Sequence, residues 1–115
     1  MDKHLSDQEK RIDAVLKDCK GWSVGSETVD AFLEYLNDNL ELPCEVVNME
    51  DDESYVLHGI EDAGDTMYGL LGNVKLKSDK RRKLVLALYD LEPIDKDTKN
   101  FELLNDYSVW FCNSQ

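Results

Sequence analysis

A chain of 115 residues has the length of one domain, which excludes a two-domain enzyme working in the cleft between its halves. Its 25 Asp and Glu against 13 Lys and Arg give a net charge of −12, which repels duplex nucleic acid and anionic lipid and favours cations or basic proteins. The 42% hydrophobic content is enough for a core, so an ordered domain is expected.

The opening residues MDKHLSDQEK lack the apolar run of a leader, and no stretch reaches the roughly 20 apolar residues of a membrane span. Cys19, Cys44 and Cys112 are odd in number and widely spaced, which suits neither a disulfide framework nor a CxxC pair. The expectation is a cytoplasmic protein with three buried, reduced thiols. Ser6-Asp7-Gln8-Glu9 reads as a capping box, and Ile12, Val15, Leu16 and Cys19 behind it repeat as one helical face that Gly21 stops. Ser26 is placed to cap a second helix, whose apolar stripe is Val29, Phe32, Leu33, Leu36 and Leu40. Pro43 ends it near residue 40.

From residue 44 the period changes to that of strands. Glu45–Met49, Ser54–Ile60, Thr66–Lys77, Arg81–Asp90 and Tyr107–Phe111 are short runs of strand formers, separated by polar turns at 50–53, 61–65, 78–80 and 92–105. Lys77-Ser78-Asp79-Lys80 reads as a tight hairpin turn. The sequence therefore predicts an α+β single domain, 1–115, with two N-terminal helices in 1–42. A small five-stranded antiparallel SH3-like β-barrel follows in 43–115, because closure removes exposed edges.

Charge is segregated along the chain. Residues 1–20 are neutral, and residues 21–74 hold 13 acids and no Lys or Arg. Six bases (Lys75, Lys77, Lys80, Arg81, Arg82 and Lys83) then meet Asp79 alone within 75–83. A merely solubilising surface intersperses its signs. The second helix carries Glu27, Asp30, Glu34, Asp38 and Glu41 on one face. Asp38 and Glu41 fall at its C-terminal end, where free carbonyls already concentrate negative charge. Glu50-Asp51-Asp52-Glu53 puts four carboxylates in one turn, and Glu61-Asp62-Ala63-Gly64-Asp65 puts three around a glycine able to turn tightly. Asp95 and Asp97 follow Asp90 and Glu92. Calcium takes six to eight oxygens from such groups. In an SH3-like topology the two acidic turns and the end of the second helix share one pole, with the basic hairpin at the far end. The candidate metal ligands are accordingly Asp38, Glu41, Asp51, Asp52, Glu53, Glu61, Asp62 and Asp65.

No EF-hand loop is present: counting from Asp95, positions five and six are Lys99 and Asn100. No enzyme is expected, since GxSxG, P-loop, HExxH and Rossmann patterns are absent, His4 lies in the N-terminal tail and His58 in a strand. Trp22, Trp110, Tyr107 and Phe111 read as core, and the basic hairpin as a solvated turn or a seat for a phosphate or an acidic partner.

The stretch from Leu42 onward resembles the cyanobacterial calcium-binding protein (CcbP-type) family. The residues carrying the likeness are Leu42-Pro43-Cys44-Glu45, Asp65-Thr66-Met67-Tyr68-Gly69, Leu88-Tyr89-Asp90-Leu91-Glu92 and Asp106-Tyr107-Ser108-Val109-Trp110-Phe111-Cys112-Asn113. The resemblance implies Ca²⁺ binding without an EF-hand. The chain's acidity points to the founder type, implicated in calcium buffering during heterocyst differentiation, rather than to more basic relatives. The expectation is a cytosolic monomer that buffers or senses free Ca²⁺, with no nucleic-acid or membrane partner. The alternative is an acidic interaction module that docks a basic protein or mimics nucleic acid.

Overall fold

Residues 6–114 are described in a computed structural model of the chain. Helix α1 spans Asp7–Val15 and opens on the expected capping box: Glu9 N–H donates to Ser6 Oγ at 3.1 Å and Ser6 N–H to Glu9 Oε1 at 2.9 Å. It stops a turn before Cys19. The chain folds back through Gly21 so that Trp22 returns to α1, its indole N–H donating to Asp13 at 3.2 Å. Helix α2 spans Ser26–Asn39, and its N-cap is Gly25 rather than Ser26. Gly25 N–H donates to Thr28 Oγ1 at 3.0 Å, so the cap hydroxyl comes from inside the helix.

Strands β1 (Cys44–Asn48), β2 (Glu53–Asp62), β3 (Leu70–Leu76) and β4 (Asp79–Ala87) form an antiparallel meander. A 3-10 turn, Leu88–Asp90, carries the chain to β5 (Leu91–Pro93), which pairs with β1. The order is β4-β3-β2-β1-β5, with β4 and β5 as unpaired edges, so the sheet is open and the expected barrel closure is not seen. The hairpin turn is confirmed at Lys77-Ser78, where Leu76 pairs with Asp79. The ladder resumes only at Lys75 opposite Lys83, so Lys80, Arg81 and Arg82 bulge out of it.

The fifth expected strand, Tyr107–Phe111, is helix: α3 runs Lys99–Asn113, capped by Thr98 Oγ1 accepting from Phe101 N–H at 3.2 Å. Its buried residues Leu103, Leu104, Asp106, Tyr107, Trp110 and Phe111 recur at three- and four-residue steps, a helical period. The strand-forming aromatics are on this helix because they build the core. Trp110 stacks on Phe32 of α2 with ring centres 4.7 Å apart, and Phe111 stacks on Tyr89 at 5.3 Å. Polar atoms of this cluster are used as well: Trp110 Nε1–H donates to the Trp22 carbonyl at 2.7 Å, and the Tyr107 hydroxyl accepts Leu70 N–H at 2.9 Å. Arg11 ties α1 to α3 through two hydrogen bonds to the buried Asp106, at 2.7 and 3.0 Å.

The backbone comes close to α3 at Gly69, whose φ is +66°. A Cβ there lies 2.5 Å from both Phe111 Cε1 and the Tyr107 hydroxyl. Gly69→Ala is therefore expected to cost about 2–4 kcal/mol, combining left-handed strain with overpacking. The measurement is the urea unfolding midpoint, and an unchanged midpoint contradicts the close approach of residue 69 to Tyr107 and Phe111 of α3.

Candidate metal site

The eight carboxylates chosen from sequence fall in three separate places. Register explains why. The start of β2 pairs with the end of β3 (Tyr55 opposite Leu76) and its end with the start of β3 (Asp62 opposite Leu70). The β1–β2 turn thus lies at the β3–β4 hairpin end, and the β2–β3 loop at the other, roughly 26 Å away along the strand from Glu53 to Glu61. The single carboxylate pole expected from the barrel topology does not form. Asp52 and Glu53 instead share a depression with Lys77 and Ser78, beside the basic run.

In the β1–β2 turn Asp51 accepts from Glu53 N–H at 2.9 Å and from the Tyr55 hydroxyl at 2.8 Å, using both oxygens. These two bonds, the backbone one first, hold its carboxyl below the usual aspartate range. Asp52 has φ +63°, and its N–H donates to the Asn48 carbonyl at 2.7 Å, which closes the turn. In the β2–β3 loop Asp62 accepts Gly64 N–H at 2.8 Å, and Asp65 accepts both Met67 and Tyr68 N–H at 3.0 Å. Gly64 does take a positive φ, +84°, but the tight turn spends carboxylate oxygens on its own backbone. Glu61 is exposed at the end of β2. Asp38 is exposed on α2, and Glu41 lies beside Asp95 in a depression at the start of α3. There Asn100 clamps the chain, accepting Glu41 N–H at 2.9 Å and donating to the Glu41 carbonyl at 2.8 Å.

A pair outside that set is brought together by the sheet register. Because Leu91 pairs with Asn48, the turn before β5 lies against the turn after β1, and Met49 N–H donates to the Asp90 carbonyl at 2.9 Å. The Glu50 side chain lies near that of Asp90, whose carboxyl is pushed up first by burial and then by Glu50. They sit in a depression of about 330 Å³ with Asn48, Tyr68 and Tyr89. Nothing local in the sequence couples positions 50 and 90; only the β1–β5 register does.

Among the described residues no three His, Cys, Asp or Glu side chains converge on one point suited to a metal ion. Glu50 and Asp90 offer at most four oxygens against the six to eight that calcium takes, so the pair fits part of a shell, to be completed by water and neighbouring amides. The thiols are elsewhere and free: Cys19 and Cys44 are half-buried, their thiols pushed up chiefly by burial, and Cys112 is exposed, which corrects the expectation of three buried ones. His58 is exposed, and His4 lies outside the described residues. No helix among them is long and apolar enough to cross a membrane.

Carboxylate-bearing turns on a small open antiparallel sheet backed by helices define an acidic α+β protein. Residues 23–111 match the CcbP family, described as calcium binding, and the chain belongs to that family. Two solved structures share its fold. One is a calcium-binding protein in its calcium-binding form, with TM-score 0.71 and 19% identity over 91% of this chain and 89% of that one. The other is Anabaena CcbP, with TM-score 0.68 and 21% identity over 96% of this chain and 94% of that one. No curated protein sequence matches the chain.

Asp51 and Asp90 make opposite contributions to pH dependence. The depressed Asp51 carboxyl stabilises the fold fully above the unfolded-state value, near pH 4, and that contribution is lost as pH falls through the lower folded value. The raised Asp90 carboxyl destabilises the fold when ionised, and the penalty is relieved as pH falls below its folded value. Urea midpoints at pH 7 should therefore fall for Asp51→Asn and rise for Asp90→Asn. Midpoints that move in the same direction contradict the assignment.

Proposed function

We propose that this chain binds Ca²⁺ and buffers or senses it in the cytosol, without an EF-hand. Family membership across residues 23–111 carries the reading. The net charge of −12 and the base-free run of 13 acids in 21–74 support it. Similarity to the heterocyst-associated founder type supports a role in cyanobacterial calcium signalling. The principal site is the β1–β2 turn, where Glu50 and Asp90 supply the first oxygens and Asp51, Asp52 and Glu53 lie in the same turn. Glu61, Asp62 and Asp65 form a second, separate group with some oxygens still free, and a third comprises Asp38, exposed near the end of α2, and Glu41, beside Asp95. Calcium tolerates such irregular, partly hydrated shells, whereas magnesium holds its water and demands octahedral geometry.

Binding to the folded state raises stability by mass action. Calorimetric titration of chelator-treated protein in about 0.15 M salt, which screens diffuse attraction, with millimolar Mg²⁺ present, is the test. Saturable binding is expected, weakened at least roughly tenfold by Glu50→Gln with Asp90→Asn and less by Asp62→Asn with Asp65→Asn. Asp38→Asn with Glu41→Gln should have the smallest effect. Only weak heat that fades as salt rises contradicts the reading and favours an acidic surface that docks basic proteins.

A further inference from the structure

Lys75 and Lys83 are direct cross-strand partners on β3 and β4. Residues 74 and 84 between them point to the core, so both lysines stand on the outer face. Like charges directly opposite one another in a sheet destabilise it. Among the described residues neither lysine has a salt-bridge partner. The pair flanks a depression of about 600 Å³ whose walls include His58, Asn73 and Val85, the last 54% exposed. The bulged Lys80, Arg81 and Arg82, all exposed, extend the same positive end.

We propose that this outer face of β3–β4 docks an acidic peptide segment from a protein partner, with carboxylates between Lys75 and Lys83 and an aliphatic side chain on Val85. Charge complementarity selects the occupant. Residues 75–83 carry six bases against one acid. At 0.15 M salt the Debye length is about 8 Å, so a short ligand experiences this local field and not the net charge of the whole protein. A nucleic acid places phosphates far beyond the patch, over surfaces dominated by acids, and gains nothing from an apolar floor. A peptide of a few residues stays within the patch and uses both features.

The test is fluorescence anisotropy of a labelled eight-residue peptide that alternates glutamate with leucine and valine, in chelator so that calcium sites are silent. Saturable binding on the order of 10–100 µM is expected, as befits a small exposed site. Lys75→Glu with Lys83→Glu should weaken it at least tenfold, Lys75→Arg with Lys83→Arg should retain it, and Lys96→Glu, remote in sequence, should leave it unchanged. A peptide with lysine in place of glutamate should bind the doubly reversed variant, a gain that misfolding cannot imitate. The proposal is overturned by failure of the acidic peptide to bind or by indifference to the double reversal. Competition by inorganic phosphate or a duplex oligonucleotide at the peptide's own concentration overturns it equally.

Discussion

The hydrogen bond from Leu70 N–H to the Tyr107 hydroxyl is the contact on which the arrangement turns. It ties the first residue of β3 to the middle of α3 in a wholly buried setting, where an unpaired amide carries a full desolvation penalty. The tyrosine is held there by its ring, edge-on to Phe32 and stacked near Phe111, and burial pushes its phenol far above the usual value, so it stays a neutral acceptor and donor. Once α3 is fixed, Trp110 reaches both Phe32 and the Trp22 carbonyl, and Arg11 reaches Asp106. One C-terminal helix therefore organises the other two helices and the sheet.

Local chemistry made the first two helices legible. The Ser6–Glu9 box and the Val29–Phe32–Leu36 stripe express their structure within a few residues, and Pro43 bounds the second helix. The third helix was hidden by composition. Tyr107, Val109, Trp110 and Phe111 favour strands individually, and their helical period shows only when Leu103 and Leu104 are read with them, across a stretch whose polarity reads as a turn. Strand order beyond the hairpins depends on where β5 returns to β1, and three residues ending in proline carry too little pattern to show it.

The acids were easy to count and hard to place. Their sequence clusters reflect turns: Asp51, Asp62, Asp65, Asp79 and Asp95 each accept the backbone N–H two residues on, which is why aspartate stands there. A carboxylate that shapes a turn has fewer oxygens left for an ion, and its neighbours in sequence point elsewhere. Glu50 and Asp90 meet because two turns from distant parts of the chain abut. The pair proposed as the principal site is thus one with no local signature.

Segregated charge gains meaning from the same register. The meander places the acidic β1–β2 turn beside the hairpin, so Lys77 lies at Asp52 and Glu53 and pairs with Glu45 at 3.3 Å. Lys77 is thereby neutralised from within, while Lys75 and Lys83 face outward without salt-bridge partners among the described residues. If the run existed only to balance the acids, its members would alternate with them along the sheet, as Lys99 and Glu102 do on α3. Instead the bases crowd one outer face and a bulge of the edge strand. Lysine and arginine on an edge discourage pairing with a second copy of the same strand, since basic would meet basic. The same charges leave an oppositely charged chain unopposed, so protection against self-association and selectivity for an acidic partner follow from a single placement.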